Sequence, residues 1–150
     1  MNKSELNRIM QELLRRSGSS VTVETEAYFP GGRLIGGKYV MDSHSVTMYT
    51  EVIRQQCMQL FGTLEPFHAY FAVVFAHELG HSMDLMLSSL CDRMNNTLDE
   101  WEQNRIALQI EENAWNNALP WLQDIDPEFV RTIMDCSLEA YHEVLTPEIA

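Results

Sequence analysis

Basic side chains are scarce in this chain. Its 150 residues hold only 10 Lys and Arg against 22 Asp and Glu, a formal net charge of -12. A protein that coats nucleic acid needs basic patches to neutralise phosphates, and docking on an anionic membrane needs basic clusters. The composition argues against both. Cysteine is also sparse: Cys57, Cys91 and Cys136 are odd in number, widely spaced and without a CxxC pair. A disulfide framework or a cysteine-based zinc site is therefore not expected, and free thiols fit a reducing compartment. No apolar run approaches the length of a membrane span, the longest being Phe71 to Ala76. The N-terminal MNKSELNRIMQELLRR reads as an amphipathic helix and not as a signal peptide. A cytoplasmic protein is expected.

What is present is a globular composition, 45% hydrophobic and 21% charged, in a length suited to one domain, residues 1–150. The charge is unevenly placed. Residues 1–60 carry 7 basic and 6 acidic side chains, whereas residues 61–150 carry 3 basic and 16 acidic. A solvated surface or a cation site would each account for acids in the second part.

The hydrophobic pattern changes period along the chain. Leu6, Ile9, Met10, Leu13 and Leu14 recur at helical spacing after a possible cap at Ser4, and Ser17-Gly18-Ser19-Ser20 ends that helix. Val21–Phe29 alternates as a strand should. Leu34–Met41, interrupted by Gly36-Gly37, and Ser45–Tyr49 are two further strand candidates. Tyr49 follows a strand that could form the sheet edge, where an extended peptide would pair. Thr50 is a candidate cap for a helix through Val52, Ile53, Cys57, Leu60 and Phe61. Helices follow: one opened by Glu65-Pro66 and running to about Ser89, one over Leu98 to about Leu119, and one from Pro127 to about Leu145. Helix, small sheet, then helices is an α+β order.

One motif carries chemistry. His77-Glu78-Leu79-Gly80-His81 is an HExxH sequence. Histidines at i and i+4 share one helix face about one turn apart, so their ring nitrogens can meet on a single tetrahedral Zn²⁺. Glu78, beside the first ligand, is placed to take a proton from water at the metal and pass it to a leaving amine. The preceding Phe71–Ala76 run is apolar on nearly every face, so the helix is buried, and buried histidines and carboxylates need partners. A catalytic zinc also needs a third protein ligand. The HExxHxxGxxH branch is excluded, because Asp84 and Leu87 stand at its glycine and last-histidine positions. Glu111 and Glu112, on a later helix, are the candidates. Glu111 shares a face with the small residues Ala107, Ala114 and Ala118, which permits close approach to the motif helix. Glu112 shares its face with the bulkier Leu108, Trp115 and Leu119. Glu111 is preferred and Glu112 stays open.

HELGH followed by Glu111-x-x-Ala114-Trp115 resembles the gluzincin metallopeptidases, most closely the small bacterial and phage ImmA/IrrE-like group. The resemblance covers about residues 45–145. It implies a zincin-like core, with a small mixed sheet, the HExxH helix and a following helix that carries the third ligand. It also implies Zn²⁺ as cofactor, a peptide or protein substrate, and cytosolic action on regulatory proteins such as repressors. Trp115 stands where the thermolysin-like pattern has an Asp that orients the first histidine. The expected function is a zinc-dependent metallopeptidase with His77, His81 and Glu111 on the metal and Glu78 as general base. The alternative is a zincin-fold regulatory or partner-binding module that cleaves nothing. Asp84 is a candidate partner for His81, and Tyr141 and His142 are candidate donors to an oxyanion, with a plain surface role weighed against each. His44 and His68 read as loop and helix-surface residues.

Overall fold

The computed structural model describes residues 3–145. The described residues form an α+β architecture of six α-helices and a three-stranded mixed sheet. Helix α1 (Lys3–Ser17) buries Leu6, Met10 and Leu13 and ends where Gly18 turns left-handed at φ 69°, as the Ser-Gly-Ser-Ser stretch predicts. Ser4 lies inside its first turn. Strands β1 (Thr22–Glu26), β2 (Gly37–Val40) and β3 (Ser45–Tyr49) follow, and α2 (Thr50–Phe61) continues directly from β3. Thr50 is the first helical residue and not the cap: its hydroxyl donates to the Glu26 carbonyl and ties α2 to the end of β1.

The sheet order is β1-β3-β2, with β1 parallel and β2 antiparallel to β3. This overturns the edge-strand expectation for Tyr49. β3 has neighbours on both sides, so its backbone groups are already paired, and Val46 and Met48 are fully buried. Ser45 and Thr47 alternate with the buried Val46 and Met48, so one face of β3 packs on the core, and that pattern does not distinguish a central strand from an edge strand.

Helix α3 (Phe67–Ser82) forms the centre of the molecule and carries the HExxH motif. Phe71, Val73, Phe75, Ala76 and Leu79 have no exposed surface, because other elements cover the helix all round. Full burial of each large side chain contributes roughly 1.5–3 kcal/mol. Pro66 sits just before the helix, one position earlier than an N1 proline.

The expected run to Ser89 breaks at Ser82. Residues Met83 to Met86 form a turn, and a separate helix α4 (Leu87–Asn96) begins after it. The cause is Asp84, whose Oδ1 accepts from the Met86 N–H while the Asp84 carbonyl accepts from the Leu87 N–H. A short carboxylate that bonds to backbone two residues ahead competes with helix continuation. The break redirects Leu87 and Leu90 onto Ile106 and Ile110 of α5 (Glu100–Ala118), forming a second small core. Asp99 caps α5 by accepting from the Trp101 N–H. A 3₁₀ turn at Leu119–Leu122 leads to α6 (Pro127–Glu143), with Asp126 as cap and Pro127 at the first turn as expected. None of the described helices is long and apolar enough to cross a membrane.

α3 and α5 meet backbone to backbone. A Cβ built at Gly80 would overlap the Ala114 carbonyl, and Asn117 donates to the Gly80 carbonyl at 3.0 Å across the same contact. Any side chain at position 80 must push the helices apart. Gly80→Ala is expected to lower stability by about 1–3 kcal/mol despite alanine's better helix propensity. Urea unfolding of the two proteins measures this, and an unchanged or raised midpoint would contradict so tight a crossing.

Candidate metal centre

The Gly80–Ala114 contact sets the spacing of the polar cluster beside it. His77 and His81, one turn apart on α3, have ring centroids 4.7 Å apart. Glu111 lies one turn before Trp115 on α5 and brings its carboxylate between them. His77 Nε2 is 3.2 Å from Glu111 Oε1, and His81 Nε2 is 3.2 Å from Glu111 Oε2. Glu112 makes no such contact, so of the two candidates Glu111 is the one brought to the histidines. Glu78 approaches from the other side, with the His77 Nδ1–H donating to its Oε2 at 3.2 Å. Donor atoms of His77, Glu78 and His81 lie within 4.8 Å of one another, so Glu78 also borders the space an ion would occupy.

This cluster is largely out of solvent: side-chain exposure is 12% for His77, 11% for His81 and 17% for Glu111. Glu78 is buried against β2. A Cβ at Gly37 would stand 2.9 Å from Glu78 Cγ and 3.1 Å from Met48 Sδ, so the absence of a side chain at Gly37 is what admits the glutamate. Read from sequence, that glycine is only an interruption of a strand. The electrostatics follow from burial. Desolvation by itself lowers the His77 pKa, but the Glu111 and Glu78 carboxylates outweigh it and hold it at about 9. Desolvation raises Glu111, but His77 and His81 outweigh it and bring it to about 2. Two carboxylates in a dry site thus demand positive charge.

The residues fit a divalent ion. His77 Nε2 is buried and lacks a hydrogen bond: Glu111 is near enough for an ion pair, but it lies off the direction a ring N–H would need. A buried ring nitrogen without a hydrogen bond, next to a second imidazole and a carboxylate, is a ligand set of two nitrogens and one oxygen. Catalytic zinc uses such a set.

Further residues surround the cluster. Trp115 lies face to face with His77, centroids 4.5 Å apart at 22°, and its Nε1–H donates to Ser137 Oγ at 2.9 Å. Neither contact is signalled by local sequence, since Ser137 is on another helix. Tyr141, one turn beyond Ser137, has its pKa raised by burial and then by the charges of Glu111 and Glu78, which brings it into the site's field. His142 is on the exposed side of α6. Asp84 accepts from the Met86 N–H and from Asn113 Nδ2 at 3.4 Å. His44, in the β2–β3 turn, meets the Tyr39 hydroxyl at 2.9 Å and Ser20 Oγ at 3.1 Å, and His68 pairs with Glu5 at 3.4 Å; both are away from the centre. A cavity of 530 Å³ opens beside His77 and Glu78, walled by Leu34, Leu60, Val74 and Ile133. Cys57, Cys91 and Cys136 are free thiols.

No protein-family model matches the chain, and neither a curated protein nor a solved structure is significantly similar to it.

The charge pair gives the metal-free chain a defined pH response. His77 is raised from 6.5 to about 9, so its contribution to stability is complete below pH 6.5 and lost as pH rises through about 9. Glu111 is lowered from 4.5 to about 2, so its contribution is complete above pH 4.5 and lost as pH falls through about 2. Urea midpoints in excess chelator should therefore be highest between about pH 4.5 and 6.5. A His77→Asn variant should lose the decline between pH 6.5 and 9. An identical decline in that variant would show that the pair is not its source.

Proposed function

We propose that this protein is a zinc-dependent metallopeptidase with a zincin-like core. The observation that carries the reading is the convergence of His77 Nε2 and His81 Nε2 on the two oxygens of Glu111. The third-ligand carboxylate lies on a separate helix, thirty residues on, and a HExxH sequence arising by chance has no need of it. The mixed sheet packed against the motif helix, with the glutamate helix on its other side, supports the core expected of that fold. His77, His81 and Glu111 would hold the ion, and when bound it supplies a Lewis acid that acidifies water and polarises a peptide carbonyl.

The chain's own residues would do the rest. Glu111 contacts both imidazole Nε2 atoms and Glu78 neither of them, which leaves Glu78 to act as general base at the border of the ion's space. Its carboxylate takes a proton from the attacking water and hands it to the departing amine nitrogen. Its burial against Gly37 keeps bulk water from competing for that proton. Tyr141, kept protonated first by its burial and then by the charges of Glu111 and Glu78, would serve as a hydrogen-bond donor to the negative oxygen that forms on the carbonyl. The substrate is a peptide or protein, and action on a regulatory protein remains part of the proposal through the ImmA/IrrE-like resemblance.

Incubation with Zn²⁺ and gel filtration should leave about one zinc per chain, and His77→Ala or Glu111→Ala should leave under about 0.1. Glu78→Gln should keep the metal while cleavage of a fluorescently quenched casein falls on the order of 10²–10⁴-fold. A wild-type chain holding under about 0.1 zinc sinks the metal reading. A fully active Glu78→Gln variant removes the glutamate from the base role.

A further inference from the structure

An imidazole that binds a metal must be held against rotation about its own axis, or its ligand nitrogen swings off the ion. The usual restraint is a hydrogen bond from the other ring nitrogen to a dedicated carboxylate or carbonyl. His77 lacks one. The partner of its Nδ1 is Glu78 Oε2, the group assigned to move protons. When Glu78 takes up a proton its carboxyl loses the negative charge that strengthens this hydrogen bond, so the restraint weakens in the step that needs it.

We propose that Trp115, locked by Ser137, is the positioning residue of His77 and holds the imidazole plane by stacking where a carboxylate would otherwise hold its nitrogen. This rests on the metal reading above. The two rings lie 4.5 Å apart and 22° from parallel, so rotation of the imidazole drives its edge into the indole face. The indole is itself fixed. Trp115 is only 2% exposed, and its Nε1–H donates to Ser137 Oγ at 2.9 Å. The Ser137 hydroxyl donates onward to the Met134 carbonyl at 3.0 Å, so its oxygen is turned to accept from the indole. The restraint on a ligand of α3 is thereby supplied from α6 through a residue of α5. It is also independent of the charge on Glu78, so the base is free to cycle.

The test reads the ring and the metal separately. In the chelated protein, imidazole proton signals of His77 should be shifted upfield by the indole ring current, relative to the other four histidines. Trp115→Leu should abolish that shift, and Trp115→Phe should retain part of it. In competition titrations, Trp115→Leu should bind Zn²⁺ about 10- to 100-fold more weakly. Trp115→Phe, which restores a flat face, should recover affinity to within about threefold of wild type, with Ser137→Ala between the two. Leu122→Ala, a core truncation away from His77, should leave zinc affinity unchanged. Wild-type affinity in Trp115→Leu, with His77→Ala abolishing binding, overturns the positioning role and leaves the metal reading standing. If Trp115→Leu does not fold, Ser137→Ala decides: wild-type affinity with unmoved His77 signals overturns it. No zinc bound by the wild type removes the metal reading, and the positioning role with it.

Discussion

The approach of α3 to α5 at Gly80 and Ala114 is the constraint on which the rest depends. Two helices normally stand 8–10 Å apart, the distance set by their side chains. Here one partner has no side chain and the other has a methyl group, so backbone meets backbone. The small residues do more than permit packing. They set how far the Glu111 carboxylate must reach to arrive between two histidines, and a glutamate reaches only when the helices are this close. The glycine within HELGH therefore has a mechanical role that the ligand spacing alone does not reveal. Asn117 secures the crossing by donating to the carbonyl of that same glycine.

The second constraint is charge in a dry place. The core around α3 is apolar on nearly every side, and placing two carboxylates and two imidazoles in it costs desolvation for each. What makes the arrangement tenable is mutual neutralisation. Glu111 and Glu78 hold His77 protonated well above its ordinary value against its desolvation, and the charge of His77 in turn keeps Glu111 ionised. A divalent cation satisfies the same demand with two charges, and its ligands must shed their protons to receive it. On the proposed reading, proton and metal would be alternative sources of positive charge for one buried cluster and would compete for the same electron pairs.

Much of this was legible in the sequence because its signals are local or periodic. The i, i+4 histidines, the α+β order, β3 at Ser45–Tyr49 and the helix face that carries Glu111 toward the histidines all follow from local pattern and from which residues share a face. The Ala107–Glu111–Ala114–Ala118 stripe predicted the close helix crossing. What escaped was set by single side-chain bonds or by distant partners. The end of α3 at Ser82 depends on one Asp84 oxygen turning back to the Met86 N–H, and neither glycine nor proline marks the place. The central position of β3 depends on β1 returning alongside it in parallel, a pairing across more than twenty residues. Gly37 is informative only once Glu78 is seen against it, and Trp115 only once Ser137 is seen behind it.

The acidic excess of residues 61–150 has a source other than the His-Glu cluster. Glu78 and Glu111 belong to the cluster, and Asp84 shapes the turn after α3. Several others stand at helix starts: Asp99, Glu100 and Glu102 on α5, Asp126 and Glu128 on α6. A helix N-terminus presents unpaired N–H groups and the positive end of its dipole, so carboxylates there are stabilising, by about 0.3–1 kcal/mol each. The same physics favours Lys and Arg in last turns, yet α5 has none there and α6 has only His142. The imbalance therefore arises less from an accumulation of acids than from the missing bases at the opposite ends. If the cluster takes a cation, as proposed, exposed basic residues beside it would oppose the approach, and their scarcity leaves the long-range field of this half attractive to positive charge.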